Sequence, residues 1–228
     1  MAGYFGYILV IIVGALISGA AALWVRSSYS KYSDQTSMSG MTGAQVARTI
    51  LDRNNLYNVR VEPVAGQLTD HYDPSSKVVR LSESNFGKSS IAAVSVAAHE
   101  CGHAVQDSVG YLPMKARAGL FPIVNFSNQL FMPLLFLGFI MGTHGLGGFF
   151  IQLATILFAG VLAFHIVTLP VEINASTRAY GILTRYGILS GNEAAGTRRV
   201  LTAAAFTYIA AALTSLLLFL YLLLVSRD

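Results

Sequence analysis

Tyr4-Phe-Gly-Tyr-Ile-Leu-Val-Ile-Ile-Val-Gly-Ala-Leu-Ile-Ser-Gly-Ala-Ala-Ala-Leu-Trp-Val25 runs for about 22 residues without a charge. As a helix it is long enough to cross a hydrocarbon core roughly 30 Å thick. A secretory signal is the competing reading. No Lys or Arg precedes the run, and it exceeds the roughly 7–15 residues of a signal's apolar region. Arg26 and Lys31 follow at once, so the run reads as a permanent anchor with its N-terminus outside.

Working outward, three more stretches have spanning character: Phe121–Met141, Phe149–Leu169 and Ala203–Val225. Asn125, Ser127, Asn128 and Gln129 interrupt the first of these, placing its N-terminal third at an interface or against protein. Thr143–Gly148 reads as a tight Gly-rich turn. Composition agrees: 54% of the 228 residues are hydrophobic and 11% charged. A soluble domain carries about 25% charged residues to wet its surface.

Charge sets the topology. Ten of the 15 Lys and Arg lie between Arg26 and Arg117, four between Arg178 and Arg199, and Arg227 falls on the other side. The residues flanking the spans, Arg26, Lys31, Lys115, Arg117 and Arg178, agree that both polar regions are cytoplasmic and both termini outside. The net charge of +4 belongs to this bias, not to nucleic acid, because the basic residues neither cluster nor interleave with aromatics. A single cysteine, Cys101, excludes an internal disulfide and a Cys-based metal site. The scarcity of carboxylates argues against a proton-coupled transporter, which places ionisable groups within several spans.

The expected organisation is an anchor (1–25), a cytoplasmic region (26–118), two spans (119–169), a second cytoplasmic segment read as helical (170–202) and a last span (203–228). In the first cytoplasmic region Thr42-Gly-Ala-Gln45 has capping-box spacing and opens a helix through Asn54. Val59–Glu62 and Lys77–Leu81 read as strands, separated by Gly66 and by Asp73-Pro74 turn chemistry. Ser89 or Ser90 caps an Ala-rich helix, Ile91–Asp107.

That helix carries His99-Glu100-Cys101-Gly102-His103, an HExxH motif. Residues i and i+4 share a helix face, so both imidazoles reach one Zn²⁺ at about 2.0–2.1 Å. Glu100 sits beside the first ligand, where its carboxylate serves the metal's water as general base and acid. The competing explanation is a packed helix that happens to carry two histidines. A catalytic zinc needs a third protein ligand and an open position. After Asp107 the acidic residues are Glu172, Glu193 and Asp228. Asp228 is on the wrong side and Glu193 lies in a Ser-Gly-Asn turn, which leaves Glu172. The alternative for Glu172 is a carboxylate in the first turn of a helix starting at Pro170, favourable with the macrodipole.

Gly66-Gln-Leu-Thr-Asp-His-Tyr-Asp-Pro74, Val78-Val-Arg-Leu-Ser82, Ala97-Ala-His-Glu-Cys-Gly-His-Ala-Val-Gln106 and Leu169-Pro-Val-Glu-Ile-Asn-Ala-Ser-Thr-Arg-Ala179 resemble the YugP-type membrane zinc metallopeptidases of prokaryotes. The likeness runs over most of the chain, spans included. Glu172 and Ala175 are more distantly similar to the Glu-x-x-Ala arrangement of HtpX-like membrane peptidases, which implies that Glu172 is the third zinc ligand. Those enzymes usually place Asp four residues on, where this chain has Ser176, a weaker partner for a zinc-bound imidazole. The resemblance implies a multi-pass protein of a prokaryotic cell membrane, and the charge bias puts its active site on the cytoplasmic side. It further implies one Zn²⁺ per chain and polypeptide substrates, among them membrane proteins in quality control.

His71 and Tyr72 are candidates to stabilise an oxyanion or bind the substrate backbone, against a local role in the turn around Pro74. His165 lies inside the third span, about 10 Å along the helix from Glu172, and reads as a packed neutral group. His144 reads as solvated, Cys101 as helix packing, and Arg178 and Tyr180, near the site, as ion-pair or packing residues with substrate contact the alternative.

The expected fold is predominantly α, with four transmembrane helices and a small cytoplasmic zincin-like α+β unit. The expected function is a membrane-embedded zinc metalloendopeptidase. Two alternatives stand beside it: a structural zinc protein closed by a fourth ligand, with His71 the obvious donor, and a non-catalytic membrane adaptor that recruits clients or other proteases. A regulatory membrane partner is left open.

Overall fold

The computed structural model describes residues 2–226, so Arg227, counted for topology, and Asp228, weighed as a third ligand, lie outside the described residues. Seven helices and three strands follow in the order α1 (Ala2–Ser33), α2 (Gly43–Arg53), β1 (Arg60–Val64), β2 (His71–Asp73), β3 (Val78–Ser82), α3 (Glu83–Gly87), α4 (Ile91–Ser108), α5 (Leu112–Met141), α6 (Gly145–Arg185) and α7 (Ala194–Val225). The protein is thus predominantly α with one small sheet. Helices α1, α5, α6 and α7 are each long and apolar enough to cross a membrane. Most of their apolar surface is exposed, with Leu9, Phe136, Ile156 and Leu224 among the side chains left bare. Such contiguous apolar surface is at home in lipid.

The chain divides into two compact units. One comprises Met1–Ala22, Lys115–Pro170 and Thr207–Asp228. Its core is Phe131 and Leu135 of α5, Ile151, Ala154 and Phe158 of α6, and Leu218 and Leu222 of α7, with Tyr7 and Val10 of α1 against it. His165 is satisfied in this unit, its Nδ1 standing 2.6 Å from Ser215 Oγ. His144 is exposed in the short turn between α5 and α6.

The other unit, Leu23–Met114 and Val171–Phe206, holds the sheet and the motif helix. Thr42 and Gln45 form the reciprocal capping box at the start of α2. Val46, Ala47, Ile50 and Leu51 of α2 then pack with Val79 and Leu81 of β3 and with Val94, Ala97, Ala98, Cys101 and Ala104 of α4. Ser90 caps α4, accepting from the Ala93 N–H at 3.2 Å. At the far end Tyr111 N–H donates to Gln106 O and Gly110 N–H to Asp107 O, a Schellman closure with Gly110 at φ +65°. Cys101 is fully buried, and burial pushes its thiol pKa upward, as suits a packing residue.

Three local expectations need correction. His71–Asp73 is a strand, not only the approach to a turn. It pairs antiparallel with β3, while β1 pairs parallel with β3, giving the order β1-β3-β2. The turn chemistry holds just beyond it, where Asp73 Oδ1 accepts from the N–H groups of Ser75 and Ser76. The glycine-rich turn is shorter than 143–148, because α6 already starts at Gly145. Pro170 does not start a helix. It lies inside α6, which runs unbroken for 41 residues, so Glu172 is a mid-helix residue and the macrodipole account of it falls. Likewise α5 starts at Leu112 and α7 at Ala194, each longer than its apolar run.

Close approach of α4 and α6 rests on one residue. A methyl built on Gly102 comes within 2.7 Å of the Ala175 carbonyl oxygen, so only glycine lets the two backbones meet. Gly102→Ala is therefore expected to destabilise the protein by about 1–3 kcal/mol, more than the helix-propensity gain of roughly 1 kcal/mol. Gly181, in the same helix as Ala175, has nothing within 4 Å of a built Cβ. Gly181→Ala should raise the melting temperature in detergent while Gly102→Ala lowers it. Equal effects at the two sites would refute the packing argument.

Candidate metal centre

His99 and His103 are one turn apart on α4 and present their Nε2 atoms to the same side-chain oxygen. His99 Nε2 lies 3.3 Å and His103 Nε2 3.5 Å from Glu172 Oε2, and the three donor atoms lie within 4.8 Å of one another. Two ligands each about 2.0–2.1 Å from a tetrahedral zinc stand roughly 3.3–3.4 Å apart. The spacing between the imidazoles and the carboxylate thus matches the edge of a zinc tetrahedron.

Electrostatics points the same way. Glu172 is 1% exposed, and a buried carboxylate requires positive charge nearby. Burial opposes the charged form of His103, yet Glu172 and Glu100 outweigh it, and the His103 pKa is raised. A pocket that favours protonation of a buried imidazole is one that welcomes a cation. The donor set, two imidazoles and one carboxylate, is suited to zinc.

The outer nitrogens of both histidines are also held. His99 Nδ1 is 3.2 Å from Ser176 Oγ, and His103 Nδ1 is 3.0 Å from Gln106 Oε1. For His103 the direction of the bond follows from its neighbours. The Gln106 amide nitrogen donates to Val171 O at 2.8 Å, and a backbone carbonyl can only accept. It also donates to Asn174 Oδ1 at 3.0 Å, which takes a second bond from Arg178 Nε at 2.7 Å. With its nitrogen committed, Gln106 turns its oxygen to His103, so His103 Nδ1 carries the proton. In the neutral ring Nε2 then offers its lone pair toward Glu172. Gln106 and Asn174 were not among the residues singled out from the sequence. The signal was present, since Gln106 lies three residues past His103 on one helix face and Asn174 two past Glu172.

The other candidates lie elsewhere. His71 is exposed, its Nδ1 2.8 Å from Thr69 O and its Nε2 3.4 Å from Arg80, and it does not join the three-residue cluster. Tyr72 donates its hydroxyl proton to Asp107 Oδ2 at 2.6 Å, tying β2 to the end of α4, and burial and that contact raise its pKa. Glu193 accepts from the N–H groups of Met38 and Ser190, each at 2.8 Å, and braces a loop. Tyr180 pairs with Arg198 and Arg178 with Asn174.

A family model described as "Putative neutral zinc metallopeptidase" matches residues 7–227. A protein of Bacillus subtilis (strain 168) described as "Putative membrane protease YugP" is 47% identical over 226 residues, covering 97% of this chain and 98% of its own length. No solved structure matches.

Breaking the outer contacts should weaken metal binding without touching a ligand. Gln106→Ala is expected to lower zinc affinity about 10–100-fold, measured by competition with a chromogenic chelator. Ser176→Ala, which removes one longer bond at a less buried site, should cost less.

Proposed function

This chain belongs to the family of neutral zinc metallopeptidases, and from that premise we propose that it is a membrane-embedded zinc metalloendopeptidase cleaving membrane or membrane-proximal polypeptides. In this reading His99, His103 and Glu172 hold one zinc ion, and Glu100 is the catalytic residue. The observation that carries it is the convergence of two imidazole nitrogens and a buried carboxylate oxygen at 3.3 and 3.5 Å. Bound zinc would act as a Lewis acid and lower the pKa of its water toward 7.

The protein's own residues supply the rest. Glu100, next to His99 on α4 and 8% exposed, accepts the proton of the attacking water and delivers it to the leaving amine nitrogen. Gln106 and Ser176 orient the two imidazoles from behind. Strand β2 is an edge of the sheet and packs on α4, which supports binding of an extended segment by added strand pairing. His71 lies on that strand, where contact with the substrate backbone is the role in keeping with its exposure.

The positive charge flanking the apolar runs supports a cytoplasmic site and both termini outside. Helix α6 is 41 residues, about 60 Å, twice the thickness of a hydrocarbon core. Its apolar run ends at Leu169 and Glu172 follows, which favours substrates whose scissile segment lies near the membrane.

Glu100→Gln keeps the shape and removes the base. Cleavage of casein by the purified protein should fall about 10²–10⁴-fold with zinc content unchanged. Cleavage that survives Glu100→Gln would sink the assignment of the base.

A further inference from the structure

Away from the metal centre, α1, α6 and α7 line a groove of about 700 Å³, with Trp24, Tyr180, Ala194, Ala195, Arg198 and Arg199 on its walls. We infer that this groove binds the headgroup of an anionic phospholipid.

The charge is one-sided: two guanidinium groups line the groove and, among the described residues, no carboxylate does. Arg198 is also held in place. Its guanidinium lies 4.9 Å from the centre of the Tyr180 ring and donates to the Tyr180 hydroxyl at 3.2 Å. Both contacts orient the cation without neutralising it, so its remaining N–H groups are available to an anion. Glu193, the nearest acid along the chain, turns its carboxylate to the loop N–H groups of Met38 and Ser190.

Position along the helices selects a lipid over a soluble anion. Trp24 is the penultimate residue of the first apolar run, and the arginines lie four and five residues before the run that starts at Ala203. The Trp24 ring meets Phe206 edge-on at 5.2 Å, joining α1 and α7 at this level. Both helices thus place the groove where apolar sequence gives way to polar, the depth at which Trp is enriched and headgroups lie. Basic pockets between membrane helices at that depth suit anionic headgroups, and the aromatic wall suits the glycerol and upper acyl chain.

Trp24 is the only tryptophan in the chain, so its fluorescence reports on the groove. The full-length protein is reconstituted in bilayers in which dibrominated phosphatidylglycerol or dibrominated phosphatidylcholine, both quenchers, is titrated at equal mole fraction. The expected result is a preference for phosphatidylglycerol of about thirtyfold, the scale two basic residues set at a membrane surface. It should vanish in Arg198→Gln/Arg199→Gln and persist in Lys115→Gln/Arg185→Gln, which removes the same charge elsewhere. Equal quenching by the two lipids in the wild type would overturn the inference. So would a preference that survives the first double variant, disappears in the second, or is abolished by millimolar inorganic phosphate.

Discussion

The backbone contact between Gly102 of α4 and Ala175 of α6 sets the distance on which the metal centre depends. A side chain at either end of an HExxH motif can reach a metal from many helix pairings. Glu172, a mid-helix carboxylate three residues before Ala175, meets both histidines where the two helices nearly touch. Gly102 supplies that approach from inside the motif itself, and Ala175, fully buried, supplies it from the other helix. The small residues at the helix crossing are therefore as much part of the candidate site as its three donors.

Around that contact the outer polar groups are satisfied in turn. Val171 O and Arg178 fix the Gln106 and Asn174 amides, Gln106 fixes the proton on His103, and Ser176 meets His99. Every outer atom has a partner of the right polarity, while the inner nitrogens face a buried carboxylate oxygen. Three donors so placed could hold a cation.

Much of this was legible in the sequence because it is local. The capping box at Thr42, the Ser90 cap and the i, i+4 histidines depend on neighbours along the chain and appear where their spacing says. Four apolar helices follow from run length alone. What was missed depends on partners distant in sequence. His71–Asp73 is three residues long, too short to show alternation, and is a strand only because β3 offers it hydrogen bonds. Pro170 reads as a helix start by local rules, yet the packing of α6 on both sides carries the helix through it. Gln106 looks like a surface amide in an Ala-rich helix until Val171 and Asn174 arrive from 65 and 68 residues away.

The claim that α4 and α6 together hold one catalytic metal is tested most directly by elemental analysis of the purified protein in detergent, wild type beside Glu172→Ala. The account predicts close to one zinc per folded chain in the wild type and its loss in Glu172→Ala. Zinc retained in full by Glu172→Ala, or a well-folded wild type that takes up none, would contradict it.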